Sequence, residues 1–412
     1  MKTKPFLAFI LLTLLALACA NPLGSAPAPQ AGNVETMVAA TLSALTASPD
    51  SAPPATPGTV NPPSGLLPHS MYYLANDGAQ ITQIFRLEKD GKTATQLTFE
   101  SASVEDYDVS PIDGSIAYIT SGQLLLAGPD GNNRRMVLDA NPQDAVNPFL
   151  TRIVSPVFSP NGQTLAFGYK GLNFFSLANG QSNRVLEDDV DTSNSFPFPR
   201  ELYWPEMYSA DGSKLIITLG YYEGASTAIY YTNGGALVRL NDSDDSQRAI
   251  ICCGDYSLSA DASQLFSASP TYGMFSAGLW RVDTASGSVT TLLSGDFEDN
   301  PADVADNPFP APDGQLYYFY ASVPNTGDMV NRPPLQLVRS GADGATNRTV
   351  LRQETFTNMN EALWAPDGSF VIVANAEVPE IYSGGRAELY YTGNNTEALW
   401  LVPFAKHMKW GP

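Results

Sequence analysis

The sequence predicts an all-β protein: a β-propeller of seven blades, each with four antiparallel strands. Two observations predict it. One turn motif recurs as Ser110-Pro111-Ile112-Asp113-Gly114, Ser159-Pro160-Asn161-Gly162, Ser209-Ala210-Asp211-Gly212, Ser259-Ala260-Asp261-Ala262, Ala311-Pro312-Asp313-Gly314 and Trp364-Ala365-Pro366-Asp367-Gly368. Its last positions stand 48, 50, 50, 52 and 54 residues apart, and so regular a period marks a repeat architecture. A second set of hairpin turns lies between these copies: Asp90-Gly91, Asp130-Gly131, Asn179-Gly180, Asn233-Gly234, Ser286-Gly287, Asp343-Gly344 and Gly393-Asn394. Two hairpins per repeat give four strands per repeat, which is a propeller blade.

The chain opens with Lys2 and Lys4 and an apolar run from Phe6 to Leu17, too short for a comfortable membrane span. Leu15-Ala16-Leu17-Ala18-Cys19 resembles the lipobox of bacterial lipoproteins, although Ala16 stands where Leu is most usual. The resemblance implies a signal peptide over 1–18 and acylation of Cys19 as the mature N-terminus. Ala16-Leu17-Ala18 also reads as an A-x-A site of an ordinary secretory signal. Either reading takes the protein out of the cytoplasm. The lipoprotein reading adds a lipid anchor to a bacterial membrane, at the cell surface or in the periplasm.

Residues 19–67 are rich in Pro, Ala, Ser and Thr and nearly free of charge, a composition that cannot bury a core and suits an extended tether. Within it Val34, Met37, Val38, Leu42 and Leu45 recur at helical spacing behind Asn33 as N-cap, marking a short helix over 33–46.

From 68 to 412 the text is strands and turns. Ile116–Ile119, Leu165–Phe167, Leu215–Ile217 and Val371–Val373 follow the Asp-Gly turns, where Gly supplies positive φ and Asp tolerates it. The second hairpin occurs seven times and the first only six. Met71-Tyr72-Tyr73-Leu74 opens a unit that lacks its first strand, and His407–Pro412 reads as that strand, with Trp410-Gly411-Pro412 echoing Trp364-Ala365-Pro366. The C-terminal strand would then complete the first blade and leave no open edge. Seven blades is the expected number, with six or eight as alternatives.

The S-P-D-G turns, together with Gln83-Ile84-Phe85-Arg86-Leu87 through Gln96-Leu97-Thr98, resemble the WD-like repeats of TolB-type propellers over roughly residues 70–412. The resemblance implies a cell-envelope scaffold for protein or glycan contacts. Ala262 in place of Gly and the inserted Ile112 depart from the pattern.

Only 22 Lys and Arg stand against 42 Asp and Glu, for a net charge of −20. A phosphate backbone needs clustered cations, so nucleic acid is excluded as a partner. The connections over 139–152, 187–205, 241–256, 294–309, 321–334 and 374–387 read as long loops on one face, where binding concentrates on a rigid scaffold. Acids and aromatics share them. Asp188, Asp189, Tyr203, Trp204, Asp244, Asp245, Tyr256, Asp299 and Asp303 are the candidate ligand face, suited to a glycan, a basic peptide or calcium. Asn241, Ser243 and Asp245 begin like an EF-hand loop, but Ser246 and Cys252 occupy the positions that need Gly and Glu. No cofactor motif is present; the acid density leaves room only for an irregular Ca2+ site.

Cys252 and Cys253 are open to two states, a vicinal disulfide or two reduced buried thiols. Catalysis has little support, with no Gly-x-Ser-x-Gly elbow and no zinc signature. His69 and His407 are expected to flank the closing blade. The reading is a non-catalytic binding or scaffold module for an envelope protein or glycan. A glycan-active enzyme using paired loop carboxylates and a purely structural envelope protein are the alternatives.

Overall fold

The computed structural model describes residues 65–193, 196–222, 224–240, 255–271, 277–295, 299–324 and 332–412. Cys19, the tether helix, Asp244, Asp245, Cys252 and Cys253 lie outside these residues.

Among the described residues the chain forms 28 strands and one 3-10 turn, arranged in six antiparallel sheets. The first three strands are β1 (Met71–Asn76), β2 (Thr82–Leu87) and β3 (Ala94–Gln96). The next sheet holds β4 (Val104–Val109), β5 (Ile116–Thr120), β6 (Gln123–Ala127) and β7 (Arg135–Asp139). It is followed by β8 (Val154–Phe158), β9 (Thr164–Gly168), β10 (Gly171–Ser176) and β11 (Ser182–Glu187). A five-stranded sheet adds a short β12 (Asp189–Asp191) to β13 (Phe198–Tyr208), β14 (Lys214–Tyr221), β15 (Gly224–Tyr231) and β16 (Leu237–Arg239). Two more sheets of four comprise β17 (Asp255–Leu258), β18 (Gln264–Ser269), β19 (Ala277–Asp283) and β20 (Val289–Gly295), then β21 (Ala302–Pro310), β22 (Leu316–Val323), β23 (Leu335–Ser340) and β24 (Thr349–Phe356). Last come β25 (Met359–Trp364), β26 (Phe370–Asn375), β27 (Gly385–Tyr391) and β28 (Leu399–Trp410).

β28 is 12 residues long because it serves two neighbours. Its first half pairs with β27 (Leu389↔Leu399, Ala387↔Val402), and its second half pairs with β1 (Leu74↔Lys406, Met71↔Trp410). The first and last strands of the fold therefore share one seven-stranded sheet, ordered β25-β26-β27-β28-β1-β2-β3.

The predicted strands after the Asp-Gly turns are present as β5, β9, β14 and β26. Each turn is closed by its acid or amide, whose Oδ1 accepts the backbone N–H two residues on, as in Asp211 to Ser213 at 3.0 Å and Asp367 to Ser369 at 3.0 Å. Ala262 occupies the glycine position at φ 54°, a left-handed geometry that carries a steric cost for any residue with a Cβ.

Middle strands are apolar along both faces, since both are covered: β5 is buried throughout and β26 over five of its six residues. Outer strands such as β7 and β11 are more exposed and carry charges at Arg135, Asp139, Arg184 and Glu187, which blunt pairing at the sheet edges. The core is divided among sheet-to-sheet interfaces. Ile119 and Leu124 of one sheet pack on Phe158 and Phe167 of the next, and Leu279 and Phe266 pack on Tyr318 and Leu316.

Two expectations shift at this scale. Much of the expected long-loop text is strand: Tyr203 and Trp204 lie in β13, Tyr256 in β17 and Asp303 in β21. Acidic residues had masked strands whose alternate residues pack inward. Packing also starts before residue 68, for Leu67 is 2% exposed and its N–H bonds Lys89 O at 2.9 Å.

Candidate functional site

The first strand of each sheet, here the leading strand, ends at the Asp-Gly turn. These strands are β4, β8, β13, β17, β21 and β25, and the second half of β28 ends likewise at Gly411. Hydrogen bonds stitch them side to side. Trp364 Nε1 donates to Asn307 O at 3.0 Å, Trp410 Nε1 to Trp364 O at 2.7 Å, and Tyr107 Oη to His407 O at 2.7 Å. Phe158 N then donates to Asp108 Oδ2 at 2.6 Å. The chain of bonds runs β21–β25–β28–β4–β8.

The leading strands line a cavity of about 570 Å3, bounded by Asp106, Ser155, Pro205, Glu206, Asp255, Glu361, His407 and Lys409 among others. Tyr382, Ser383 and Gly384, from the connection between β26 and β27, form its margin. Asn360 pins that connection by donating to Ile381 O at 3.0 Å and Gly384 O at 2.6 Å.

A repeated local device turns polar side chains into this space. Every leading strand except β17 changes register at the site, as between Val104 and Asp106, Val154 and Val157, Pro205 and Met207, and Met359 and Glu361. Such bulges leave one residue unpaired and re-aim its side chain. Ser155, Asn307 and His407 sit there at φ 49°, 47° and 50°. In β8 and β21 the bulge contains a proline (Pro156, Pro308) and in β13 Pro205 flanks it, and proline cannot donate to the ladder.

Six carboxylates line or adjoin the cavity: Asp106, Asp108, Glu206, Asp255, Asp306 and Glu361. Lys409 Nζ donates to Asp108 Oδ1 at 2.8 Å, and His407 Nδ1 stands 3.6 Å from Asp106. Burial opposes ionisation of Asp106, yet the facing imidazole of His407 and the charge of Lys409 hold it below the usual carboxylate range. Burial also pulls against the Lys409 ammonium, and the Asp108 and Asp106 charges outweigh it and raise its pKa.

The other carboxylates go the opposite way. Burial pushes Glu206 up to about 7. Burial likewise pushes Glu361 up to about 7, although His407 N donates to its Oε2 at 2.7 Å and Met408 N donates to its Oε1. Asp306 is 8% exposed and hydrogen-bonds Asp255; burial and then the Asp255 charge raise it well above normal. Asp255 keeps contact with solvent, yet protein surrounds it, and desolvation raises it too. Two carboxylates that share a site cannot both ionise cheaply, so each opposes ionisation of the other.

The residues expected to form a ligand face are spread along the strands. Asp188 and Tyr203 meet, with Tyr203 N donating to Asp188 Oδ1 at 3.1 Å, and burial pushes Asp188 up to about 6. Tyr203 is 8% exposed and donates to Glu201 at 2.5 Å. Trp204 packs over Gly220, and Tyr256 Oη lies 2.6 Å from Thr227 Oγ1. Asp299 accepts from Ser294 at 2.6 Å and Asp303 from Tyr320 at 2.8 Å, while Asp189 is exposed. His69 lies against Trp410, with ring centroids 6.4 Å apart. Among the described residues no three His, Cys, Asp or Glu side chains could together hold a metal ion.

The cavity residues escaped the sequence reading, but a signal for them exists. Four residues before each turn stand Asp106, Ser155, Pro205, Asp255, Asn307, Glu361 and His407, a position that is polar or proline in every repeat.

No family model matches the chain, and no curated protein matches it. Solved structures do. A prolyl endopeptidase is similar at TM-score 0.54 and 14% identity, over 83% of this chain and 48% of that one, so the chain spans about half its length. An oligogalacturonate lyase from Vibrio parahaemolyticus is similar at TM-score 0.51 and 11% identity, over 81% of this chain and 86% of that one. TolB from Acinetobacter baumannii aligns at TM-score 0.41 and 15% identity, over 92% of this chain and 74% of that one. With the repeated four-stranded sheets, the first two likenesses show a β-propeller fold, and a fold alone carries no activity.

Proposed function

We propose that this chain is a membrane-tethered, extracytoplasmic propeller of seven blades that binds a partner in the cavity between its leading strands and performs no chemistry on it. In this reading β28 closes the ring, as the outer strand of the last blade and the inner strand of the first. Its pairing with both β27 and β1 supports this. Cys19 carries the lipid and residues 19–67 are the tether. The partner is an envelope or surface protein, or a glycan. Asp188, Asp189, Asp244, Asp245, Asp299 and Asp303 add to the net negative charge of −20, which would draw a cationic partner at long range.

The observation that carries the reading is the cavity itself. Its volume of about 570 Å3 falls within the usual range for ligand sites, and carboxylates perturbed by burial beside specific charge partners mark functional sites. A glycoside hydrolase is the second reading, favoured by Glu206 and Glu361, two carboxyls near 7 of the kind that serve as general acids. A polyuronate substrate, such as the name of the Vibrio parahaemolyticus lyase implies for that enzyme, would be repelled by this acidic space.

The test plugs the cavity. Full-length protein and its Ser155→Trp variant are compared for cross-linking to envelope proteins and for binding to a glycan array. Wild-type protein should capture a partner that the variant loses at unchanged melting temperature. Equal capture would place binding elsewhere. Turnover of a glycan abolished by Glu206→Gln or Glu361→Gln would establish the enzyme instead. Intact mass of the membrane-extracted protein tests the anchor, since an unmodified Cys19 removes it.

A further inference from the structure

Each strand that follows an Asp-Gly-type turn opens at the same position. Ile116, Thr164, Lys214, Gln264, Leu316 and Phe370 begin β5, β9, β14, β18, β22 and β26. Thr164 is the shortest of the six.

Lys214 shows what this position does when a long side chain fills it. It crosses the seam to the next sheet, where its Nζ donates to Ala262 O at 2.6 Å and to Thr284 Oγ1 at 2.8 Å. Thr284 Oγ1 itself donates to Ala262 O at 2.8 Å. The same ammonium stands 5.6 Å from the centre of the Tyr231 ring. One carbonyl, one hydroxyl and one ring thus form a cradle for an ammonium.

One seam earlier the cradle is built again without the lysine. Thr232 Oγ1 donates to Gly212 O at 2.7 Å, as Thr284 does to Ala262. The backbone repeats too, with Thr232 N donating to Ser213 O and Thr284 N to Ser263 O, each at 3.0 Å. Across this seam stands Thr164, paired with Ser176 where Lys214 is paired with Tyr231. Two short side chains replace a lysine and a tyrosine, and a cleft of about 560 Å3 lies there, with Thr164, Gly212 and Thr232 in its lining.

The lining suits the group that fills the neighbouring seam. A carbonyl oxygen has two lone pairs, and a hydroxyl can accept while it donates. Gly212 O therefore has a lone pair to offer beyond the one that Thr232 uses, as Ala262 O has for Lys214. Phe174 and Tyr208 supply rings beside which a cation can lie. Pro160 and Ala210 add apolar surface that would cover a methylene stem. Asp211 also lines the cleft, and hydrogen bonds from Ser209 Oγ and Ser213 N hold its carboxyl at about 2. Its charge favours a cation, and no Lys, Arg or His is among the lining residues.

We propose that this cleft takes the ammonium end of a lysine side chain carried by a protein partner, seated on Gly212 O and Thr232 Oγ1 as Lys214 is seated on Ala262 O and Thr284 Oγ1. The occupant is lysine and not arginine, because a carbonyl beside a hydroxyl suits a compact point charge better than a planar fork. The site is separate from the central cavity, so either can be lost without the other.

Calorimetric titration of the full-length protein with acetyl-Gly-Lys-Gly-amide, the same peptide carrying Nε-acetyl-lysine, and butylamine tests this. The lysine peptide should bind, and acetylation should weaken it roughly tenfold or more, the worth of a hydrogen bond to a charged group. Thr164→Lys supplies the ammonium from within the fold and should weaken the peptide by about tenfold or more at an undiminished melting temperature. Thr232→Val keeps the shape, removes one acceptor and should weaken it about three- to tenfold; it decides the matter if Thr164→Lys melts lower than wild type. No binding of the lysine peptide, equal binding of the acetylated one, or full binding by both cleft variants overturns the proposal. Butylamine binding as tightly as the peptide overturns the protein-borne source in favour of a free amine. Ser155→Trp, which plugs the central cavity, should leave lysine binding intact. If Ser155→Trp abolishes it while Thr164→Lys does not, the lysine belongs to the cavity and the cleft falls.

Discussion

Lys409 shows what a single residue decides in this protein. Its ammonium is held by Asp108 at 2.8 Å and lies in the field of Asp106, so that the end of the chain is bonded to the first complete sheet. Removing one member of a buried pair leaves the other charge unpaired, which costs about 3–5 kcal/mol when burial is complete. Lys409 keeps 31% of its side-chain surface and Asp108 13%. The expected loss for Lys409→Met is therefore smaller, on the order of 2 kcal/mol, measured by urea denaturation. A loss below about 0.5 kcal/mol would class the pair with ordinary surface ion pairs.

Turns and strands form the next scale, and two glycines with the same backbone geometry separate local from tertiary cost. Gly131 has φ 78° and Gly314 has φ 79°. A Cβ on Gly131 would stand 1.9 Å from Leu97 O of the preceding sheet, whereas a Cβ on Gly314 would meet nothing within 4 Å. Gly314→Ala should cost only the left-handed penalty, about 1 kcal/mol. Gly131→Ala should cost roughly 3 kcal/mol or more, since the turn must lift off its neighbour. Equal losses in chemical denaturation would mean that the turn does not dock as placed. β28 is the other decisive element. Its second half covers the edge of β1, so deleting residues 406–412 should lower the melting temperature sharply and promote association through the bared edge. Unchanged melting of that truncation would show the pairing to be dispensable.

For the whole molecule, the cavity carboxylates set the pH dependence of stability. Glu206 and Glu361 have folded pKa values near 7, above the ordinary 4.5. The folded state thus binds more protons than the unfolded one between these values, and stability falls as pH rises through that window. The turn acids run the other way. Hydrogen bonds hold Asp211 and Asp261 at about 2, so their contribution is present above pH 4 and lost below it. Melting temperature should peak near pH 5 and decline toward pH 8, with the decline flattened in Glu361→Gln. A curve that rises from pH 5 to pH 8 contradicts the assignment. The blade repeat was legible in the sequence because each Asp-Gly turn is a local solution, readable from the residues that form it. The apolar strands after the turns were legible for the same reason, and so was the role of Trp410-Gly411-Pro412 as the end of a strand beside β1. The cavity was not legible in advance. Asp106, Glu206, Asp255, Asp306, Glu361 and His407 lie up to 301 positions apart, and only the stacking of sheets brings them together. The candidate acids drew attention because they cluster along the chain, yet their surroundings differ: Asp189 is exposed, while Asp188, Asp299 and Asp303 accept hydrogen bonds from Tyr203, Ser294 and Tyr320. By itself the sequence determined the repeat, its turns and the acidic balance, all properties of neighbouring residues. Which acids lose their water was decided by tertiary structure alone, because desolvation depends on what surrounds a group in space.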